Sequence, residues 1–172
     1  MDELAAFVDA RLAEDETAAR LAIWSSDDDA ATWTAGSRGP YEVAGRTHEK
    51  EWYVVDGYDE GVIGTVRPQA AADEAVAEHI ARYDPARALR EVEAGRRILA
   101  RHVHVPSTTP WTGPDGTDFG CRECGYEDDY GTIAPTGWCD DLRDLLYRWA
   151  DHPDYRQEWR PKSEPEAPAE AT

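Results

Sequence analysis

At 172 residues, 41% hydrophobic and 31% charged, the chain has the composition of a folded globular protein long enough to bury a real core. No apolar run approaches the ~20 residues of a membrane helix, and the acidic opening Met1-Asp2-Glu3-Leu4 is the reverse of a signal peptide's basic start. Eighteen Lys and Arg against 36 Asp and Glu leave a net charge of −18, which disfavours nucleic acid and membrane as direct partners, and three cysteines point to a reducing, cytoplasmic setting.

The predicted organisation is α+β, a single domain over residues 1–160. Residues 1–24 read as a helix, with Leu4, Val8, Leu12, Ala19 and Ile23 near one face. Ser25-Ser26-Asp27-Asp28-Asp29 ends it. Residues 31–67 alternate Trp, Tyr, Val and Thr between Gly and Pro, and predict an antiparallel meander with strands Ala31–Ala35, Tyr41–Ala44, Glu51–Asp56 and Val62–Val66. In Glu51–Asp56, Trp52 and Val54 share one face, Tyr53 and Val55 the other.

Helices resume over 71–103, interrupted at Tyr83-Asp84-Pro85, where Asp84 suits an N-cap and Pro85 a first helical position. On the second of these helices Ala88, Leu89, Val92, Leu99 and Val103 cluster opposite Arg87, Arg90, Arg97 and Arg101, while Arg96 falls on the apolar side. Residues 104–139 read as a loop holding a metal knuckle. A last helix spans 140–150 with Leu142, Leu145, Leu146 and Trp149 inward, and His152-Pro153-Asp154 reads as its stop. Residues 161–172, rich in Pro, Glu and Ala, predict a disordered tail. Trp24, Trp33, Trp52 and Trp149 are expected in the core, and Trp111 and Trp159 as exposed contacts.

The chemistry concentrates at Cys121-Arg122-Glu123-Cys124-Gly125. Two thiolates two residues apart can share one tetrahedral Zn²⁺, and the glycine lets backbone amides turn towards the sulfurs. Cys139, directly before a predicted helix, lies where the helix dipole favours a thiolate. The fourth ligand is expected to be His102, about 80° from the centre of its helix's apolar stripe, with His104, about 120° away, His152, a carboxylate or water as alternatives. Three reduced, partly buried cysteines without metal, or a Cys121–Cys124 redox pair, are the competing readings. The zinc is expected to be structural: Gly120 stands where the nucleobase deaminases place proline, His102-Val103-His104 lacks their glutamate, and His48-Glu49 has no second histidine. No phosphate loop or nucleophile elbow is present.

Further stretches carry a family resemblance: His79-Ile80-Ala81-Arg82-Tyr83-Asp84-Pro85-Ala86-Arg87, then Leu89-Arg90-Glu91-Val92-Glu93 and Arg96-Arg97-Ile98-Leu99 with His102, and the ending Ala150-Asp151-His152-Pro153-Asp154-Tyr155-Arg156 through Glu158-Trp159-Arg160-Pro161. Together with the acidic first helix these resemble the uncharacterised domain-of-unknown-function family 6221 of actinobacteria and their phages. The resemblance implies a ligand pattern matched by His102, Cys121, Cys124 and Cys139, and brings no activity. Gly95 departs from a larger, basic residue and Trp138 stands where proline is common.

The expected function is therefore a zinc-stabilised, non-enzymatic module that engages a protein partner. An acidic mimic of nucleic acid that inhibits a DNA- or RNA-binding protein is the first alternative, and a zinc enzyme with an open metal position the second.

Overall fold

The computed structural model describes residues 2–66, 73–113, 116–125 and 131–162. The expected start of the second helix at residues 71–72, and all but the first two residues of the expected tail, lie outside them. The fold is α+β, as predicted. The chain divides into two compact units, Ala13–Glu93 on one hand and Met1–Leu12 with Ala94–Thr172 on the other.

In the Ala13–Glu93 unit the sheet comprises β1 (Trp33–Arg38), β4 (Glu51–Asp56) and β5 (Gly61–Val66), antiparallel in the order β1-β4-β5. The expected strand at Tyr41 belongs elsewhere. β2 (Tyr41–Val43) pairs only with an unforeseen β3 (Arg46–His48), in a separate hairpin. Its two-residue turn is Ala44-Gly45, both at positive φ (51° and 74°), the geometry whose twist matches flanking strands. The period-2 reading of β4 holds: Val54 is fully buried with Val66, Ala77 and Ala81, and Trp33, Trp52, Ile63 and Ile80 pack around them. Ala77, Ile80 and Ala81 come from α2 (Asp73–Arg82), which covers that face.

β4 ends in a buried carboxylate. Asp56 accepts hydrogen bonds from the Trp24 indole N–H (2.5 Å), the Tyr58 amide (2.9 Å) and the Glu60 amide (3.0 Å). The Trp24 bond, aided by the two amides against the cost of burial, holds the Asp56 carboxyl below its usual range. Trp24 itself is no core residue. It is 64% exposed, its N–H tied to Asp56 and its ring tilted on Tyr58 at 5.4 Å between centroids.

α3 (Pro85–Arg101) starts as predicted, the Asp84 side chain accepting from the Arg87 amide at 2.6 Å. It stops two residues short of the expected end, so Val103 is off the apolar stripe and 40% exposed. Arg96 is exposed rather than inward.

In the second unit, Leu4, Phe7, Val8 and Leu12 of α1 (Glu3–Leu21) are buried, as are Leu142 and Leu146 of α4 (Asp140–Leu146). A 3₁₀ turn, Tyr147–Trp149, completes the expected last helix, and the Asp154 amide donates to His152 Nδ1 at its stop. Trp159 reverses its prediction. It is 2% exposed, against Phe7 (5.3 Å), Tyr155 (6.3 Å) and Trp138 (6.4 Å). Gly95, which departs from the family's larger residue, lies against the fully buried Leu12: a Cβ at that position would meet Leu12 Cδ2 at 2.7 Å and require that side chain to shift.

The stretch 104–139 is more ordered than a loop. β6 (His104–Pro106) pairs antiparallel with β7 (Phe119–Cys121), with His104 opposite Cys121. This short ribbon had no sequence signal beyond three residues per strand, too few for periodicity to register.

Candidate metal centre

Four side chains from three stretches converge. His102, just past α3, Cys121, at the end of β7, Cys124, in the following turn, and Cys139, the N-cap of α4, bring their ligand atoms within 4.8 Å of one another. No disulfide joins the cysteines. His102 Nδ1 lies 3.6 Å from Cys121 Sγ, 3.3 Å from Cys124 Sγ and 3.4 Å from Cys139 Sγ, and the Cys124 and Cys139 sulfurs are 3.7 Å apart. A tetrahedral zinc ion with bonds of about 2.3 Å to sulfur and about 2.0 Å to nitrogen places N and S about 3.5 Å apart and two sulfurs about 3.8 Å apart. These four edges match that tetrahedron, so the group fits a zinc site and can hold a metal ion.

Backbone bonds hold this geometry. The Arg122 amide donates to the Val103 carbonyl (2.9 Å), fastening the knuckle beside His102. The Gly125 amide closes the turn onto the Cys121 carbonyl at 2.7 Å. A Cβ on Gly125 would lie 2.7 Å from that same oxygen, and one on Gly120 would overlap the Ala134 carbonyl. Glycine at 120 is thus demanded by close backbone approach. Further on, the Ala134 amide bonds the Gly125 carbonyl (2.8 Å) and the Gly137 amide the Phe119 carbonyl (2.9 Å), which returns the chain to deliver Cys139.

The three histidines weighed as fourth ligand part ways. His102 joins the sulfurs and is 8% exposed. His104 is buried behind the centre: its Nε2 accepts the Cys139 amide at 2.9 Å and its Nδ1–H donates to Asp2 at 2.5 Å. Asp2 also caps α1 through the Ala5 amide (3.1 Å). Partial burial opposes ionisation of Asp2, but the bonds from His104 and the Ala5 amide outweigh it and hold the carboxyl below its usual range. Asp2-His104-Cys139 is a strut behind a ligand, and sequence reading missed it because Asp2 and Cys139 are far apart in the chain. His152 lies elsewhere in the unit, bonded to Arg11 and edge-on to Phe7.

Without a metal, burial first, then the Asp141 carboxylate and the neighbouring thiol, push the Cys124 thiol well above its ordinary range. Burial also raises Cys139, although the Leu142 amide at the α4 N-terminus pulls the other way. The helix start favours the thiolate as expected, and desolvation outweighs it. Cys121 and Cys139 are buried and Cys124 is exposed, and a divalent cation supplies the charge that the clustered thiolates need in order to ionise together. Asp141 Oδ2, 3.2 Å from Cys124 Sγ and 3.5 Å from His102 Nδ1, adds a carboxylate on the exposed side.

Comparison with protein families matches residues 1–161 to DUF6221, a family of unknown function, and the chain belongs to that family. No curated protein and no solved structure matches it. No described helix is long and apolar enough to cross a membrane.

Proposed function

We propose that this DUF6221 protein is a zinc-stapled, non-enzymatic module that presents a surface to a protein partner in the cytoplasm. The observation that carries the reading is the complete donor set. His102, Cys121, Cys124 and Cys139 supply four ligands at tetrahedral spacing, which leaves a bound zinc no open position for substrate or water. The ion's chemistry there is to neutralise three thiolates and tie the end of α3, the ribbon and the start of α4 together. Three free cysteines support a reducing compartment. The charge of −18 favours a basic partner, and by the same token supports a second reading, a nucleic-acid mimic that occupies a DNA- or RNA-binding protein.

Elemental analysis of the purified full chain tests the staple. One zinc per chain is expected, with thiolate-to-metal absorption in the cobalt-substituted protein that added anions leave unchanged. A fully folded protein empty of transition metal refutes the staple, and a cobalt spectrum that shifts with anions restores the open-site enzyme.

A further inference from the structure

Beside the centre, on the far side of His104, lies a cavity of about 260 Å³ lined by Asp2, His104, Pro106, Asp118, Phe119 and Trp138. Nothing in the family assignment or in the staple accounts for it. Its wall is aromatic: His104, Phe119 and Trp138 meet edge to face, with centroids 5.6, 5.4 and 4.9 Å apart. Both ring nitrogens of His104 are already engaged, by Asp2 and by the Cys139 amide, and its side chain is only 4% exposed, so the aromatic surface of the wall comes from Phe119 and Trp138. The charge is purely negative. Asp118 is exposed, and among the described residues no group pairs with its carboxylate, while Asp2 is ionised and half-buried.

The chemistry selects the occupant. An anion is repelled by both carboxylates. A neutral apolar group would cover the Asp118 carboxylate with nothing to replace its water, whereas Asp2 keeps its bonds from His104 and the Ala5 amide. An organic cation satisfies both walls, lying against aromatic faces and donating to carboxylate oxygens. Pockets for drug-sized ligands run to about 300–1,000 Å³, so this one suits a side-chain head group. Between the two biological cations, the planar guanidinium stacks on a ring and bridges a carboxylate with two parallel donors, where a hydrated ammonium does neither.

We propose that this cavity is a receptor for the guanidinium of an arginine side chain presented by the basic partner. The partner rests on the interaction-module reading; the ligand chemistry rests on the cavity alone. The wall is also tied to the metal. His104 follows His102 by two residues, Phe119 precedes Cys121 by two and Trp138 precedes Cys139 by one, so the ligands position the receptor.

The test titrates the zinc-loaded full chain with a capped arginine tetrapeptide and its citrulline and lysine counterparts, following the Trp138 indole N–H by NMR. The resonance is assigned by its loss in Trp138→Phe. Saturable shifts with arginine, at least several-fold weaker with lysine and absent with citrulline, are expected. Asp118→Asn, an exposed change, weakens the arginine peptide about tenfold, as loss of a charge-assisted bond requires. No shift up to about 10 mM peptide, equal binding of citrulline, or an Asp118→Asn protein that binds as the parent does overturns the proposal. Metal content measured on the same sample separates the readings. A stoichiometric zinc protein indifferent to arginine overturns the receptor alone, and a zinc-free folded protein that binds arginine overturns the staple alone.

Discussion

Replacing each of the three candidate histidines in turn gives a graded series that tests how the centre is built. His102→Ala removes a donor that lies 3.3–3.6 Å from all three sulfurs and leaves three thiolates with an open position. His104→Ala keeps every ligand but releases the Cys139 amide and the Asp2 carboxylate. Partners of this outer kind are worth about 10–100-fold in metal affinity, or about 1.4–2.7 kcal/mol. His152→Ala touches neither a ligand nor its support, so affinity should stay within about twofold, the scatter of an unconnected site. The assay is competition for zinc against a chromophoric chelator at fixed pH and salt. The expected order of loss is His102 first, His104 second, His152 negligible. His104→Gln, whose side-chain oxygen can still accept the Cys139 amide, recovers part of the His104 loss. If His104→Ala equals or exceeds His102→Ala, the ligand assignment is wrong. If His104→Ala is silent, the strut has no energetic content.

Gly95→Ala pits a helix-propensity gain of about 1 kcal/mol against overpacking of about 1–3 kcal/mol. Because the new Cβ would meet the fully buried Leu12 at 2.7 Å, the net effect should be a loss of about 1 kcal/mol in urea unfolding, and a gain would show that α1 and α3 have slack there. Zinc binding should release protons at neutral pH, because the Cys124 and Cys139 thiols are held protonated in its absence, so affinity must fall as pH falls; calorimetry in buffers of different ionisation enthalpy reads the number. Asp56 is depressed in the folded state, so its contribution is complete above the ordinary carboxyl range and disappears as pH drops through the folded value. Asp56→Asn should therefore flatten the stability-against-pH curve below about pH 4 and lower Tm at neutral pH, and an unaltered acid limb would reject that role.

Whatever the sequence determined here depends on neighbours in the chain. The Cys121-to-Cys124 spacing places two sulfurs on one knuckle, Asp84-Pro85 starts α3, and the alternation in Glu51–Asp56 sorts Val54 inward, because each rests on local geometry with a fixed period. The helical angle also singled out His102, although α3 ends before it, since the His102 amide still bonds the Ile98 carbonyl at 3.1 Å and keeps the helical direction.

Tertiary structure decided the rest. His102 and His104 are the same residue type two positions apart, and only the return of residues 131–139 across the knuckle makes one a ligand and the other its support. Trp24 and Trp159 exchange their expected places: Phe7, Tyr155 and Trp138 enclose Trp159, whereas Trp24 stays at the surface with its ring on Tyr58 and its N–H on Asp56. Gly95 and Gly120 look like weaknesses in a linear string and are close-approach sites in space. Such pairings join residues far apart in the chain, and a periodicity confined to a few neighbours carries no trace of them.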